Sequence, residues 1–205
     1  MASSGLQLVG FFLSLCGVAV TIAATLMVEW KKQEEGKHEI YEGLWMTCSG
    51  HDTTTCELHK SLLELSIEVQ VTRGVLLLSL FMSGLALLVS TVGMKCTRFM
   101  DGMNKGKSTT AMIGGIMFIA SGCLTIAVTS WYVSKIVKIF HDSHHHHHHL
   151  HGYDFGKAVF VSWAGGLLTA AGGAFFTCWK CWRPKASQSI TSSRIPSNNN
   201  KSNYV

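Results

Sequence analysis

Four long runs of the chain contain no charged side chain, and they constrain its fold more than any other feature. Asp, Glu, Lys and Arg are absent from residues 1–28, 74–94, 108–134 and 158–179, and all 29 charged residues lie between or after these runs. At about 1.5 Å of rise per residue, a helix of about 20 residues spans a hydrocarbon layer of about 30 Å. The sequence therefore predicts a membrane protein with four transmembrane helices.

The composition agrees with this prediction. Hydrophobic residues make up 47% of the 205-residue chain and charged residues only 14%, whereas about 25% of a soluble domain is charged. We expect a membrane α-helical fold, a left-handed bundle of four helices within residues 1–182. The helices are placed at about residues 8–28, 74–94, 111–134 and 157–179. Gly165, Thr169 and Gly173 form a stripe of small residues on the fourth helix, a pattern typical of close helix packing in lipid.

The basic residues predict the orientation, because Lys and Arg are concentrated on the cytosolic side of membrane proteins. Residues 95–107 hold four of them against one Asp, and the tail after residue 179 holds five and no acidic residue. The loops at residues 29–73 and 135–156 should therefore face outside. The first of these loops carries nine acidic and five basic side chains, a formal charge of −4. The net charge of +5 of the whole chain thus reflects membrane orientation and does not indicate nucleic-acid binding.

The first outer loop has the composition of a small extracellular β-sheet. Tyr41 and Trp45 supply β-forming surface, and Gly43 lies where a bend or a close backbone approach is needed. Cys48 and Cys56 would face an oxidising compartment, so we expect a disulfide between two neighbouring strands. Closing so short a loop should stabilise the fold by about 2 to 3 kcal/mol through chain entropy.

A strict alternation of apolar and polar residues runs from Leu63 to Val71, at the end of the first outer loop. Its period of two, together with its β-branched residues, favours a strand. The residues alone therefore favour a strand for this segment.

The cytosolic side offers two candidate sites. Residues 183–205 are rich in Ser and Asn, so we expect a disordered tail. Its final residues, Asn203, Tyr204 and Val205, end in a carboxylate on an aliphatic side chain, the form that PDZ domains bind.

Cysteines at the cytosolic membrane edge are candidates for palmitoylation. Cys178, Cys181 and Cys96 each lie where a span meets basic residues, and unmodified thiols at a helix end are the alternative interpretation. Cys16 and Cys123 fall inside spans, where we expect inert packing residues.

Several motifs of the chain together carry a resemblance to a family of membrane proteins. The outer-loop motif consists of Trp30, Gly43-Leu44-Trp45, Cys48, Cys56 and Arg73. Further matching stretches, in the family's order, are Met46, Ser61-Leu62-Leu63, Gly93-Met94-Lys95-Cys96, Tyr153-Asp154-Phe155-Gly156 and the Tyr-Val end. The outer-loop motif alone is shared with the peripheral myelin proteins and the calcium-channel gamma subunits. With the Gly-Met-Lys-Cys stretch and the Tyr-Val end, the chain resembles the claudins, the tetraspan proteins of tight junctions.

The resemblance carries expectations about individual residues. It implies a short outer helix where the alternating segment lies, and we therefore interpret Leu63–Val71 as helical. It also implies that Glu57, directly after the second cysteine, lines the space between cells, where an acid is typical of cation-conducting members. A ring of carboxylates concentrates cations in confined water. Glu57 is thus our candidate for pore selectivity.

Two features depart from the typical claudin pattern. Only twelve residues separate Trp30 from Gly43, so the hairpin expected to link neighbouring molecules is short. The second outer loop has no Pro and carries histidine at residues 144–149 and 151. Three interpretations of these histidines stay open: an inserted affinity tag, a solvated natural loop, and a zinc or pH-sensing site. We assign none of them as a metal ligand.

The resemblance implies a plasma-membrane protein of tight junctions that forms strands and a cation-favouring pore between cells. Its expected partners are other claudins in cis and trans, PDZ-domain scaffold proteins and the lipid bilayer. The alternative function is a tetraspan regulatory subunit of another membrane protein. We expect no cofactor and no enzyme activity, because the four charge-free runs contain no Asp, Glu, Lys, Arg or His that could act within the membrane.

Overall fold

The computed structural model describes residues 2–35, 38–50, 55–59, 66–94, 104–146 and 153–178. Most of this part of the chain is helical. The helices are α1 (Ala2–Leu26), α2 (Ile67–Gly93), α3 (Asn104–His146) and α4 (Lys157–Cys178). Each contains a stretch that is long and apolar enough to cross a membrane. The prediction of four transmembrane helices is therefore confirmed.

A five-stranded antiparallel sheet lies at one end of the bundle. Its strands are β1 (Lys31–Glu35), β2 (His38–Glu42), β3 (Met46–Gly50), β4 (Thr55–Leu58) and β5 (Tyr153–Phe155). The spatial order is β4-β3-β2-β1-β5. The small sheet expected in the first outer loop is confirmed, and β5 adds a strand from the second outer loop. Both outer loops therefore meet in a single sheet.

Helix α3 extends beyond the end predicted for the third span. The prediction ended this span at residue 134, with an outer loop from residue 135, whereas α3 continues to His146 and is 43 residues long. Two facts explain the difference. The sequence between Gly122 and Gly152 contains no Gly or Pro that would end a helix. Val133 and Ile136 also pack against the core and hold this part of the helix in place.

The start of α2 shows that part of the alternating segment is helical. Helix α2 begins at Ile67, so the helical interpretation is confirmed from Ile67 to Val71, and residues 63–65 lie outside the described part of the chain. Burial explains why the local strand pattern does not decide the structure. Val69, Thr72, Arg73 and Leu76 are buried at the i, i+3, i+4 and i+7 spacing of one helix face.

The helices pack in the order α2, α3, α4, α1, with weaker contact between α1 and α2. The stripe of small residues predicted on α4 divides between two neighbours. A Cβ atom on Gly165 would lie 2.8 Å from the Thr21 nitrogen of α1, whereas one on Gly173 would lie 2.6 Å from the Gly115 oxygen of α3. The predicted close packing of this stripe is confirmed, but its residues face two neighbours and not one, because α4 packs closely against both α1 and α3.

The two cysteines expected to be packing residues lie on the outside of the bundle. Cys16 on α1 and Cys123 on α3 are both exposed in the protein. On α1, the buried positions near Cys16 are Ser14, Gly17 and Val18, and these face the neighbouring helices. In a membrane the two thiols would therefore face lipid, and the prediction that they pack inside the bundle was wrong.

Candidate functional site at the outer end of the bundle

Trp30, the largest fully buried side chain among the described residues, joins the sheet to the helices. It is 0% exposed and packs edge to face against Tyr132 of α3, with ring centroids 5.6 Å apart. Its indole Nε1 donates a hydrogen bond of 2.9 Å to the Ala24 carbonyl in the last turn of α1. Carbonyl groups in the last turn of a helix lack helical partners. Trp30 therefore caps α1 while its main chain leads into β1.

The Gly43-Leu44-Trp45 turn between β2 and β3 rests on the same helix end. The Gly43 nitrogen donates to the Met46 oxygen at 3.0 Å, and the Trp45 indole donates to the Thr25 carbonyl of α1 at 3.0 Å. A Cβ atom on residue 43 would lie only 2.7 Å from the Val28 Cα atom. Only glycine allows the turn to approach the chain so closely, and Leu44 is then fully buried beside Trp30.

Arg73 holds this turn from the side of α2. Its guanidinium donates a hydrogen bond to the Leu44 carbonyl and lies 4.5 Å from the centre of the Trp45 ring. Arg73 is 6% exposed, and its Nε atom has no hydrogen-bond partner in the described structure. A cation over an aromatic face contributes about 0.5 to 2 kcal/mol, more when water is excluded. These contacts connect α1, α2 and the sheet into one unit.

The disulfide between Cys48 and Cys56 is present and links β3 to β4. The two cysteines lie directly opposite each other in the strand register, with Cα atoms 4.1 Å apart. Cys48 is buried and Cys56 is exposed. Because β4 is the outer edge of the sheet and is four residues long, the bond fixes a strand that has few other contacts.

The register of the sheet determines which side chains share a face. Glu57 lies opposite Thr47, Thr47 opposite Glu42, and Glu42 opposite Lys31, so these four residues form one row. We call the face that carries them the Glu57 face. Successive residues of a strand point to opposite faces. The disulfide therefore lies on the other face, which we call the disulfide face.

A second charged group lies on the disulfide face. The Tyr41 hydroxyl donates a hydrogen bond of 2.6 Å to a carboxylate oxygen of Glu39, and the Lys32 ammonium lies 3.1 Å from the other oxygen. The Tyr41 hydrogen bond, and then Lys32, lower the pKa of the Glu39 carboxyl below its ordinary value. The same hydrogen bond raises the pKa of the Tyr41 hydroxyl. The carboxylate of Glu39 is thus already occupied by neighbours of its own face.

Several predicted site residues fall outside the described part of the chain. These are Cys96, Cys181, Asn203, Tyr204 and Val205. The histidine run begins in the last turn of α3 and continues beyond the described residues. Within the described ranges, no group of three or more His, Cys, Asp or Glu side chains is arranged to hold a metal ion. Cys178 is described, and its thiol is exposed at the end of α4.

Gly156 and Tyr132 also position the site, and the sequence analysis did not predict this role for either residue. The Gly156 nitrogen donates to the Trp30 oxygen at 3.3 Å, and a Cβ atom on Gly156 would overlap the carbonyl of Glu29. Tyr132 supports the Trp30 ring from the middle of an apolar span. A glycine directly before a predicted helix is a weak signal of such an approach, and a tyrosine in an apolar span is hardly a signal at all.

The fold and the site define a class of protein: a four-span membrane protein whose two outer loops form one disulfide-linked sheet, seated on the bundle by tryptophan and arginine. Residues 4–176 match the family model described as the PMP-22/EMP/MP20/Claudin family. The chain is 37% identical to claudin-19 of Mus musculus, over 93% of this chain and 87% of that protein. It is 36% identical to claudin-7 of Homo sapiens, over 99% and 97% respectively. Claudin-1 of Rattus norvegicus is 37% identical, over 87% of each chain.

The chain therefore belongs to the claudin family. Membership of this family and the four apolar helices make it a multi-pass plasma-membrane protein of tight junctions. Its relatives are structural proteins, and the family supports interactions between claudins in the membrane.

Proposed function

We propose that this claudin forms strands at contacts between cells and lines a paracellular pore that favours cations over anions. The observation that carries the proposal is the position of Glu57 on an exposed strand of a disulfide-linked sheet. Glu57 is exposed on β4, and it has no salt bridge to any residue that the structure describes. Its carboxylate is therefore available to ions in the space outside the membrane.

The surroundings of Glu57 support a preference for cations. The first outer loop has a formal charge of −4, and fixed negative charge around a confined aqueous path raises the local concentration of cations. Cys56, next to Glu57, is bonded to Cys48, which limits the movement of the carboxylate relative to the sheet. A fixed charge of this kind acts on passing ions without needing a metal, a cofactor or a catalytic group, so we assign no enzyme activity.

The test is to measure dilution potentials across epithelial monolayers that express Glu57→Lys or the unaltered protein. Glu57→Lys should lower the sodium-to-chloride permeability ratio and leave the strands intact in freeze-fracture images. Glu39→Lys is the matched control, because it makes the same change of charge on the disulfide face. A permeability ratio that Glu57→Lys does not change would exclude Glu57 from the conducting path.

One observation favours the alternative function, a regulatory tetraspan protein that forms no strands. Strands β1 and β2 are joined by only two residues, between Glu35 and His38. The hairpin therefore offers little surface to a neighbouring molecule. Expression in fibroblasts that lack junctions separates the two functions, since strands should appear at their contacts only if this claudin polymerises.

We also propose partners on the cytosolic side. Asn203, Tyr204 and Val205 bind the PDZ domains of junction scaffolds, with the carboxylate and the Val205 side chain as the main contacts. Pull-down of a PDZ domain should be lost when one residue is added after Val205. Undiminished capture would contradict this assignment.

Palmitoylation of Cys178, Cys181 and Cys96 would strengthen attachment at the cytosolic membrane edge. For Cys178 there is structural support, because its exposed thiol borders an apolar hollow of about 250 Å³ that is lined in part by Leu6 and Phe175. An acyl chain on this cysteine could lie along that hollow. Acyl exchange that depends on hydroxylamine measures the modification, and its absence from all three cysteines would contradict the proposal.

A further inference from the structure

A row of four side chains crosses the Glu57 face from β1 to β4 and carries three charges. Lys31 lies opposite Glu42, and Glu42 is followed across the sheet by Thr47 and Glu57. Lys31 and Glu42 form an ion pair, with the ammonium nitrogen 3.3 Å from a carboxylate oxygen. Glu57 ends the row at the edge of the sheet.

The spacing of the strands determines which of these charges act on an ion at Glu57. Neighbouring strands lie about 4.8 Å apart, so Glu42, two strands from Glu57, is about 10 Å away along the row. The Lys31 ammonium lies 3.3 Å from the Glu42 carboxylate. The Debye length at physiological salt is about 8 Å. At little more than one Debye length, the attraction between Glu42 and a cation at Glu57 is weakened by salt but not removed, and Lys31 opposes it by neutralising Glu42.

We infer that Lys31 limits the cation selectivity of the pore by neutralising Glu42, which would otherwise be a second attracting charge beside Glu57. The inference rests on the proposed pore function. It makes Lys31 and Glu42 specificity-determining residues, although both are remote from the edge strand that carries Glu57.

The chain offers a closely matched control in the next residue. Lys32 follows Lys31 on β1 and lies in the row of Tyr41, Cys48 and Cys56 on the disulfide face. It also forms an ion pair with a glutamate, Glu39, at 3.1 Å. The side chains of both lysines are 26% exposed. Replacing either lysine removes one charge and its ion pair with a glutamate, at equal exposure and on opposite faces. Lys32→Gln also removes the contact between the Lys32 ammonium and the Tyr41 ring, whose centre lies 5.9 Å away.

The experiment compares dilution potentials of Lys31→Gln, Lys32→Gln and the unaltered protein in the same monolayers. Lys31→Gln should raise the sodium-to-chloride permeability ratio about twofold. This factor lies between the values expected for one charge acting at about 10 Å with full salt screening and without screening. Lys32→Gln should leave the ratio unchanged. Glu42→Gln should lower the ratio, because it removes the carboxylate and keeps the positive charge of Lys31. The double variant with Lys31→Gln should restore the original value.

A double variant in which residues 31 and 42 exchange their charges, the exchanged pair, tests whether Lys31→Gln acts only through a folding defect. Combining Lys31→Glu with Glu42→Lys keeps the ion pair and reverses it, so that the lysine stands on β2, one strand nearer to Glu57, and the ratio should fall. An equal rise for Lys31→Gln and Lys32→Gln would overturn the inference, as would an unchanged ratio in Lys31→Gln or in the exchanged pair. An unaltered protein with no cation preference would instead overturn the proposed pore and the inference together.

Discussion

At the scale of single residues, the attachment of the sheet to the helices depends on two glycines, at which two segments of main chain approach each other closely. Gly43 lets the β2–β3 turn lie against Val28, and Gly156 lets the start of α4 lie against Glu29. The Ala158 nitrogen then donates to the Glu29 oxygen at 3.0 Å. Through these contacts, the end of α1 is joined to the start of α4 and to the base of the sheet.

Substitution of Gly156 tests this close approach. Gly156→Ala should destabilise the protein by about 3 kcal/mol or more, because the added Cβ atom would overlap main-chain atoms that cannot move aside alone. Thermal unfolding in detergent micelles, followed by tryptophan fluorescence, measures the effect. Gly84→Ala on α2 is the control, since a Cβ atom there meets nothing within 4 Å, and it should change stability by less than about 1 kcal/mol. Equal shifts for the two variants would contradict the explanation.

At the scale of elements, hydroxyl groups align α2 with α3. The Ser79 hydroxyl lies 2.7 Å from that of Thr125, and the Ser83 hydroxyl lies 2.7 Å from that of Ser121. All four side chains are buried. In lipid, where hydrophobicity does not drive helices together, such hydrogen bonds favour one alignment of two helices over shifted ones.

Two serines of α2 allow the contribution of these hydroxyls to be measured. Ser83→Ala should destabilise the protein by about 0.6 kcal/mol, because it removes a hydrogen bond between helices. Ser90 is also buried, but its hydroxyl has no hydrogen-bond partner in the described structure. Ser90→Ala should therefore be neutral or stabilising. Unfolding free energies in lipid bicelles compare the two, and a larger loss for Ser90→Ala would contradict the role given to the hydroxyls.

At the scale of the whole molecule, the sheet unites the two outer loops at one end of the bundle. Strand β5 from the second loop pairs with β1 from the first, with Lys31 opposite Phe155. The first outer loop and β5 must therefore lie on the same side of the membrane. This agrees with the orientation predicted from the basic residues, which leaves the tail on the opposite side.

Glycosylation can test this orientation with two acceptor sites in one chain. Asn200-Lys201-Ser202 fits the acceptor pattern and should stay unmodified on the cytosolic side. Thr53→Asn creates a second acceptor, with Thr55 as its hydroxyl residue, and this one should be glycosylated. Gel mobility before and after endoglycosidase treatment measures both. A glycan on Asn200, or none on the substituted residue 53, would contradict the orientation.

The sequence alone determined the features that depend on composition and order along the chain. The four charge-free runs are enough to predict four transmembrane helices, because lipid disfavours a charged side chain on any face of a helix. The disulfide between Cys48 and Cys56 could likewise be predicted, because an oxidising location and a short spacing depend little on the rest of the fold. The outer-loop motif with Trp30, Gly43 and Arg73, together with the Gly-Met-Lys-Cys stretch and the Tyr-Val end, was sufficient to predict the family.

Only the tertiary structure decided which residues share a face or a partner. The alternation from Leu63 to Val71 favoured a strand locally, but packing of Val69 and Leu76 against the core stabilises a helix from Ile67. The stripe on α4 divided between two neighbours, because helix contacts depend on where the other helices lie. Lys31 and Lys32 are equivalent in the sequence, and the register of β1 with β2 places them on opposite faces. Pairing between strands is a long-range property, so sequence neighbours with the same charge can act on different surfaces.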